Sequence, residues 1–399
     1  MTDQIAQHLR QLAVEIGPRP IGSAANHAAA EYIRRVFQSA GLDVQTQRID
    51  CPAWTHLETG LELMGGPWRA AANPFSPACE VVAPLVAAST WAELEALDLT
   101  GRIVVLCGDL TQEPLIPRNC LLYNAERDQA INQRLIDQRP AAVLTVNLRP
   151  GSLTRLIEDW CLPVPSATVP AETGLALLQR LGETAHLTIA TQSGPGHSAN
   201  IVGRTTDRLA THLVVCAHYD TKLETPGALD NGGGVAVLLA LAQQLPQRDR
   251  AVGLEFVAFT GEEYSNGEPD AEYLRLKGAD LGNVLAAINL DGIGYALGAN
   301  TITLLAHSPA FQAQVAASVA KYAGVQWVAP WPQSNHSTFA GRGVPSLALS
   351  SIGAFDLAHQ PIDTVDWVSL DKLREVASLV TAIVDGVQHA AVAWTRPHD

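Results

Sequence analysis

Residues 213–240, LVVCAHYDTKLETPGALDNGGGVAVLLA, constrain the fold more than any other stretch of the chain. The apolar run Leu213–Ala217 reads as a buried strand. It ends in His218-Tyr219-Asp220, and a loop with Pro226 and Gly227 follows. Asp230-Asn231 then enters an apolar helix behind three glycines. A strand that delivers His and Asp to its C-terminal edge, with another Asp at a helix entrance, is how an open α/β sheet builds a site. Two later segments repeat the pattern: LEFVAFTGEE ends in Glu262-Glu263, and VLAAINLDGIG reaches Asp291. His218, Asp220, Asp230, Glu262, Glu263 and Asp291 therefore gather along one sheet edge.

The flanking chain supports the same architecture. Residues 4–16 predict an amphipathic helix with Ile5, Leu9, Leu12, Val14 and Ile16 as its apolar stripe, stopped by Gly17-Pro18-Arg19-Pro20. Ser23 caps a second helix over 24–40, and a strand runs from Leu42 to Ile49. From 58 to 192 the texture changes to short β-like runs (VVAPLVAAS, GRIVVLCGD, AAVLTVN) between Pro- and Gly-rich turns. Gln192–His197 reads as a linker. Thereafter strands at 212–220, 253–261, 284–291, 301–306 and 345–351 alternate with helices at 231–245, 270–278, 309–323, 335–341 and 369–393. The expected fold is α/β: a mixed, mostly parallel central sheet with helices on both faces, carrying an inserted β-rich domain. Its expected domains are 1–57 with 193–399, and 58–192 inserted between them.

A chain of 399 residues with 47 % apolar and 17 % charged residues has the composition of a globular protein with a sizeable core. The net charge of −14 argues against nucleic acid or an anionic membrane as partner. Six scattered cysteines without a Cys-x-x-Cys pair read as free thiols rather than disulfides or zinc-thiolate sites. No stretch approaches ~18 consecutive apolar residues and the N-terminus lacks a leader pattern, so a cytoplasmic, unanchored protein is expected. Oligomeric state is left open.

At residue level each acidic or histidine position has a bland reading as well as a chemical one. Glu262-Glu263 alone is a solvated turn, since adjacent side chains on a strand diverge; its place after FVAF and beside other acid-ended strands raises it. His218-x-Asp220 share a strand face, so Asp220 could accept the imidazole N–H and fix the tautomer of a metal-binding His218. His359, in AFDLAHQPIDTVD, is a loop histidine by itself.

Taken together these residues resemble the zinc-dependent aminopeptidases of peptidase family M28. The resemblance rests on His-x-Asp (218–220), Gly-Ala-x-Asp-Asn (227–231), Glu-Glu (262–263), Asn-Leu-Asp (289–291) and His-x-Pro-x-Asp-Thr (359–364), in that order. GPRPIGSAANHAAAEYIRRVFQSAGLDV is similar to the family's opening segment. The insertion more loosely resembles a protease-associated domain. The resemblance implies two zinc ions per chain bridged by Asp230, one completed by Glu263 and His359, the other by His218 and Asp291. It implies Glu262 as general base acting on a metal-bridging hydroxide, Asp220 as the orienter of His218, and a cis peptide at Asp230–Asn231. Charge supports the set: two dications bring +4, three carboxylates −3, and a hydroxide neutralises the remainder. The implied substrate is a peptide with a free N-terminus, with Glu268, Asp270 and Glu272 as acidic residues that could attract it or form a solvated loop.

Two departures stand out. Ser334-Asn335-His336 replaces the family's Ser-Asp-His, so His336 either steadies an oxyanion or packs. After Glu-Glu the chain reads YSNGEPDAEYL in place of a Gly-Leu-x-Gly-Ser turn. Rival readings are a single-zinc glutaminyl cyclase, whose His-Tyr-Asp-Ser-Lys is close to residues 218–222, a carboxypeptidase or dipeptidase of the same family, and a non-enzymatic binding module. Cobalt or manganese would suit these N/O ligands nearly as well as zinc.

Overall fold

The computed structural model describes residues 1–399 apart from 64, 119, 121–125, 207–208, 265–266 and 398–399. The chain divides into two units, one of Met1–Ile49, His197–Glu263 and Glu268–Asp399, the other of Asp50–Gly196 with Tyr264–Gly267. Ser265 and Asn266, in the loop that departs from the family pattern, lie outside the described residues.

In the first unit the strands lie in the order Val325–Trp327, Asn300–Leu305, Ser346–Ser351, Val284–Leu290, His212–His218, Gly253–Phe259, ending on Ile201–Arg204. Ser346–Ser351, Val284–Leu290, His212–His218 and Gly253–Phe259 are mutually parallel; the neighbours at either side, Asn300–Leu305 and Ile201–Arg204, run antiparallel. The parallel strands at 212–218, 253–259 and 284–290 are buried almost end to end, as expected where helices cover both faces. Residues alternate between two cores. Leu213, Val215 and Ala217 join helices Thr2–Arg10, Ala24–Ser39, Gly233–Gln244 and Leu370–Val387. Val214 and Cys216 join Tyr273 and Phe339 on the opposite face. Gly233–Gln244 is apolar all round because helices from three other parts of the chain enclose it.

From His212–His218 the chain passes to Gly253–Phe259 on one side and then to Val284–Leu290 on the other. The carboxyl end of His212–His218 is thus a topological switch point, where side chains from both neighbours can converge in the crevice.

The second unit has its own parallel strands, Cys79–Ala88, Ile103–Leu106, Ala142–Asn147 and Ser166–Pro170, with helices Glu126–Gln138 and Ala171–Leu178. It is more helical than its β-like sequence texture suggests, and two apolar clusters fill it.

Three local expectations change. Residues 192–197 are not a linker but part of a continuous strand, Thr184–Arg204, paired with Asp43–Leu63. A Cβ on Gly196 would stand 2.7 Å from the Ala53 nitrogen, so this glycine serves close strand approach rather than flexibility. Val14 is 51 % exposed: the helix widens after Arg10, with Gly17 N–H donating to Leu12 O, and the wider turn rotates the stripe so that Ala13 is buried instead. The last helix ends at Val387, and a separate turn, Val392–Thr395, sets Trp394 edge-on to Phe311. Among the described residues no helix is long and apolar enough to cross a membrane, and all six cysteines are free.

Candidate metal centre

Asp230 stands at the middle of the gathered residues. The Asp230–Asn231 peptide is cis, as the resemblance implies. Asn231 braces the turn from both ends of its amide: Nδ2 donates to Leu290 O at 2.7 Å, and Oδ1 accepts Gly234 N–H at 3.1 Å. Gly227, with φ +61°, opens this turn, and a Cβ there would come within 2.3 Å of Thr221 Cγ2. The Asp363 carboxylate accepts the backbone N–H groups of Leu229 and Asp230 at 2.7 and 3.0 Å. Asp230 is therefore positioned through its backbone, and its carboxylate is left to meet other groups.

Each Asp230 oxygen faces a different imidazole. Oδ1 lies 3.1 Å from His218 Nε2, and Oδ2 lies 3.2 Å from His359 Nε2. Each imidazole nitrogen has a second carboxylate: Asp291 Oδ1 at 3.3 Å from His218, Glu263 Oε2 at 3.1 Å from His359. Glu262 Oε2 is 3.9 Å from His218 Nε2, and its side chain is 23 % exposed, whereas Glu263 is buried. The Glu-Glu pair thus diverges into one enclosed and one accessible carboxylate. His359 adopts φ +62°, an uncommon conformation for a non-glycine residue that aims its ring inward.

The electrostatics follow from crowding carboxylates in a poorly hydrated place. Burial works against charge on His218, but Glu262 and Asp291 outweigh it and hold its pKa well above the usual imidazole value. His359 behaves alike, with Glu263 and Asp230 overcoming burial. Burial also opposes ionisation of Asp230, yet hydrogen bonds from both imidazoles hold its carboxyl well below the usual range. Burial pushes Glu262 well up; His218 opposes this, and the charges of Asp291, Glu263 and Asp230 add to it. Such a cluster requires positive charge, which protons on the imidazoles supply when no cation does.

The residues fit a metal by donor chemistry and by spacing. Ligand atoms of His218, Asp230 and Glu263 all lie within 4.8 Å of one another. Glu263 Oε1, His218 Nδ1 and Asp220 Oδ1 are buried without a hydrogen-bond partner. Imidazole nitrogen and carboxylate oxygen are the donors that zinc and similar divalent ions take.

Asp220 and His336 depart from the simplest expectations. Asp220 Oδ1 is 3.7 Å from His218 Nδ1, beyond hydrogen-bond reach, while its other oxygen accepts Glu263 N–H at 3.3 Å. His336 is buried, with Nε2 at 2.6 Å from the carbonyl of Trp331 and Nδ1 at 3.5 Å from Asn289 Nδ2. Both its ring nitrogens are engaged inside the protein. Of the acidic loop, Asp270 is buried and accepts from Asn335 and Thr338, and Glu272 pairs with Arg275; Asn335 explains the first, since its amide calls for a buried acceptor. Only Glu268 is exposed, at the start of its helix. Sequence reasoning assigned no role to Asp363, Asn231 or Lys222, although the first two lie inside the quoted motifs. Lys222 donates to the Glu263 carbonyl and stands 4.0 Å from its carboxylate.

A largely parallel sheet covered by helices, with two histidines and four carboxylates at its switch point, defines an α/β protein with a candidate metal centre. Residues 200–384 match the profile of peptidase family M28. That match spans the segments carrying His218, Asp230, Glu263, Asp291 and His359. Aminopeptidase YwaD of Bacillus subtilis is 26 % identical over 396 residues, 94 % of this chain and 82 % of that protein. The crystal structure of BSAP, a zinc aminopeptidase from B. subtilis, shares the fold with a TM-score of 0.80 at 23 % identity, over 100 % of this chain and 98 % of that one. Fimbriiglobus ruber glutaminyl cyclase is a more distant likeness, with a TM-score of 0.53 at 14 % identity over 97 % and 95 % of the two chains.

Proposed function

We propose that this chain is a co-catalytic metallo-aminopeptidase of family M28 that uses two zinc ions to hydrolyse the N-terminal peptide bond of peptides. The observation that carries this reading is the two-sided environment of Asp230. Its oxygens face two imidazoles, each with its own further carboxylate. His218 and Asp291 would hold one ion, His359 and Glu263 the other, and Asp230 would bridge them, offsetting their mutual repulsion. Zinc bound there supplies Lewis-acid polarisation of the scissile carbonyl and lowers the pKa of water toward ~7.

The remaining work falls to the chain. Glu262, the accessible member of its pair, would take the proton from the attacking water and deliver it to the leaving amine. Asp220 would fix the Glu263 backbone and face the distal nitrogen of His218. The acidic cluster would attract a cationic amino terminus. His336, with both nitrogens engaged, would pack rather than donate to an oxyanion.

Metal analysis and product identification test this reading together. Two zinc ions per chain, and release of one amino acid from a defined peptide by wild type but not by Glu262→Gln, are expected. One zinc, with cyclisation of an N-terminal glutamine and no hydrolysis, would favour the cyclase. Release from the C-terminus would favour a carboxypeptidase. The six free thiols support a reducing, cytoplasmic location, which cell fractionation tests. The parallel strands of the Asp50–Gly196 unit support the protease-associated resemblance of the insertion.

A further inference from the structure

Arg19 is fully buried, 0 % exposed, in the Gly-Pro-Arg-Pro segment between the first two helices. Its guanidinium makes no use of this position for an ordinary ion pair. Nε donates to Tyr219 O at 2.6 Å, and Nη2 to Gly227 O at 3.0 Å. Nη1 reaches Pro226 O at 2.8 Å, Gly17 O at 3.1 Å and Leu12 O at 3.3 Å. A planar guanidinium presents five N–H donors in a fixed fork, and here each nitrogen meets a backbone carbonyl.

Three of these carbonyls, those of Tyr219, Pro226 and Gly227, belong to segments about 200 residues distant in sequence. Tyr219 stands between His218 and Asp220. Gly227 O also accepts Gly232 N–H at 2.9 Å, closing the turn that carries Asp230. One rigid fork therefore touches the backbone beside both sets of ligands. The anchor is itself anchored: Arg19 N–H donates to Thr221 Oγ1 at 2.9 Å, and Asn26 Nδ2 donates to Arg19 O at 3.3 Å.

We propose that Arg19 is a positioning residue of the metal centre, clamping the His218–Asp220 strand end and the Asp230 turn at the separation that divalent cations need. This rests on the metal-centre reading above. A buried cation is costly, and burial lowers the guanidinium pKa to about 10 against the pull of Asp363, Asp220, Glu263 and Asp230. The side chain remains charged at neutral pH, and its charge also eases the repulsion among those carboxylates. Lysine could supply the charge but not the fork: an ammonium is a point donor on a flexible stem.

Charge and geometry are separable with Arg19→Lys, studied in the full-length chain stripped of metal and titrated with cobalt(II) alone. The readouts are the cobalt visible spectrum, the cobalt affinity, the circular dichroism of the fold, and kcat and KM after reloading. For Arg19→Lys we expect a native dichroism spectrum, cobalt binding weaker by about 10- to 100-fold and a shifted visible band. kcat should fall more than KM rises. Wild-type affinity and spectrum in Arg19→Lys would overturn the proposal, because charge alone would then suffice. Should Arg19→Lys fail to fold, Thr221→Val decides, since it loosens the anchor while leaving the guanidinium in place. A smaller shift in the same cobalt band supports the clamp, and no change in band or affinity overturns it. Failure of wild type itself to bind cobalt would remove the metal-centre reading and this one together, an outcome distinct from failure confined to Arg19.

Discussion

The Asp363 carboxylate grips Asp230 by its main chain, accepting the Asp230 N–H at 3.0 Å while its other oxygen takes the Leu229 N–H at 2.7 Å. Asp363 follows His359 by four residues, so one short loop supplies a histidine to one side of Asp230 and a backbone clamp beneath it. Asp363→Ala leaves two buried N–H groups without acceptors. Each orphaned group costs about 1–3 kcal/mol, so a loss of roughly 2 kcal/mol or more is expected in urea denaturation. Asp363→Asn keeps one acceptor, and a smaller loss should follow. Equal, near-zero losses in both would contradict the clamp.

On the proposed reading, Glu262→Gln would remove the proton carrier while leaving Glu263 and the other proposed ligands in place. Activity on an aminoacyl-nitroanilide should drop by about 100- to 10,000-fold, with zinc content unchanged by elemental analysis. Loss of zinc in this variant would move Glu262 from proton transfer to coordination.

Removing metal should leave the two imidazoles to neutralise the carboxylates. Their pKa values lie well above the usual imidazole value without metal, so metal uptake near neutral pH must displace protons. Zinc titration of the stripped chain in two buffers of different ionisation enthalpy should show proton release. Zinc at about 1,000 times its Kd should stabilise the fold by roughly 4 kcal/mol, read as a rise in melting temperature.

Acid stability should depend on a buried pair remote from catalysis. Glu255 is 1 % exposed; its Oε2 lies 2.7 Å from Lys277 Nζ, and Arg204 and Tyr273 also contact it. Burial raises its pKa, but Lys277 and Arg204 outweigh this and depress it below 4.5. A carboxyl depressed on folding contributes stability that is present above its unfolded pKa and lost as pH falls through the folded one. Wild type should therefore lose stability as pH drops below about 4.5. Glu255→Gln should flatten that limb and cost roughly 3–5 kcal/mol at pH 7, because it removes the carboxylate partner of a buried ion pair. An unchanged pH profile in the variant would falsify the assignment.

Gly234→Ala offers a test by sign. An interior helical glycine exchanged for alanine usually gains up to about 1 kcal/mol. Here the added Cβ would meet Asn231 Oδ1 at 2.1 Å and Leu290 O at 2.5 Å, the partners that brace the Asp230 turn. We expect a loss of roughly 1–3 kcal/mol in denaturation and weaker zinc binding.

Strand and helix periods along 212–351 were legible because a parallel sheet buries its strands on both faces and leaves near-continuous apolar runs. His218, Glu262, Glu263 and Asp291 could be singled out because they end or follow such runs, and Asp230 because it stands at the entrance of an apolar helix. Gln192–His197 was misread because glycine and proline signal both a flexible linker and a close strand contact; the neighbour, Ala53, decides which. Val14 misled because a single wide turn rotates a helical stripe without any mark in composition. Arg19 was passed over as part of a helix stop, since nothing local distinguishes a solvated arginine from one whose fork will meet carbonyls about 200 residues away.

By itself the amino-acid sequence determined the elements, their parallel arrangement and the histidine and carboxylate types at the sheet edge, because local periodicity and residue chemistry are properties of short segments. Which Asp230 oxygen faces which imidazole, which glutamate is enclosed, and what holds the Asp230 turn were decided only by the tertiary structure. Those relations depend on distances between segments up to about 200 residues apart, and packing of the whole sheet and its helices sets such distances.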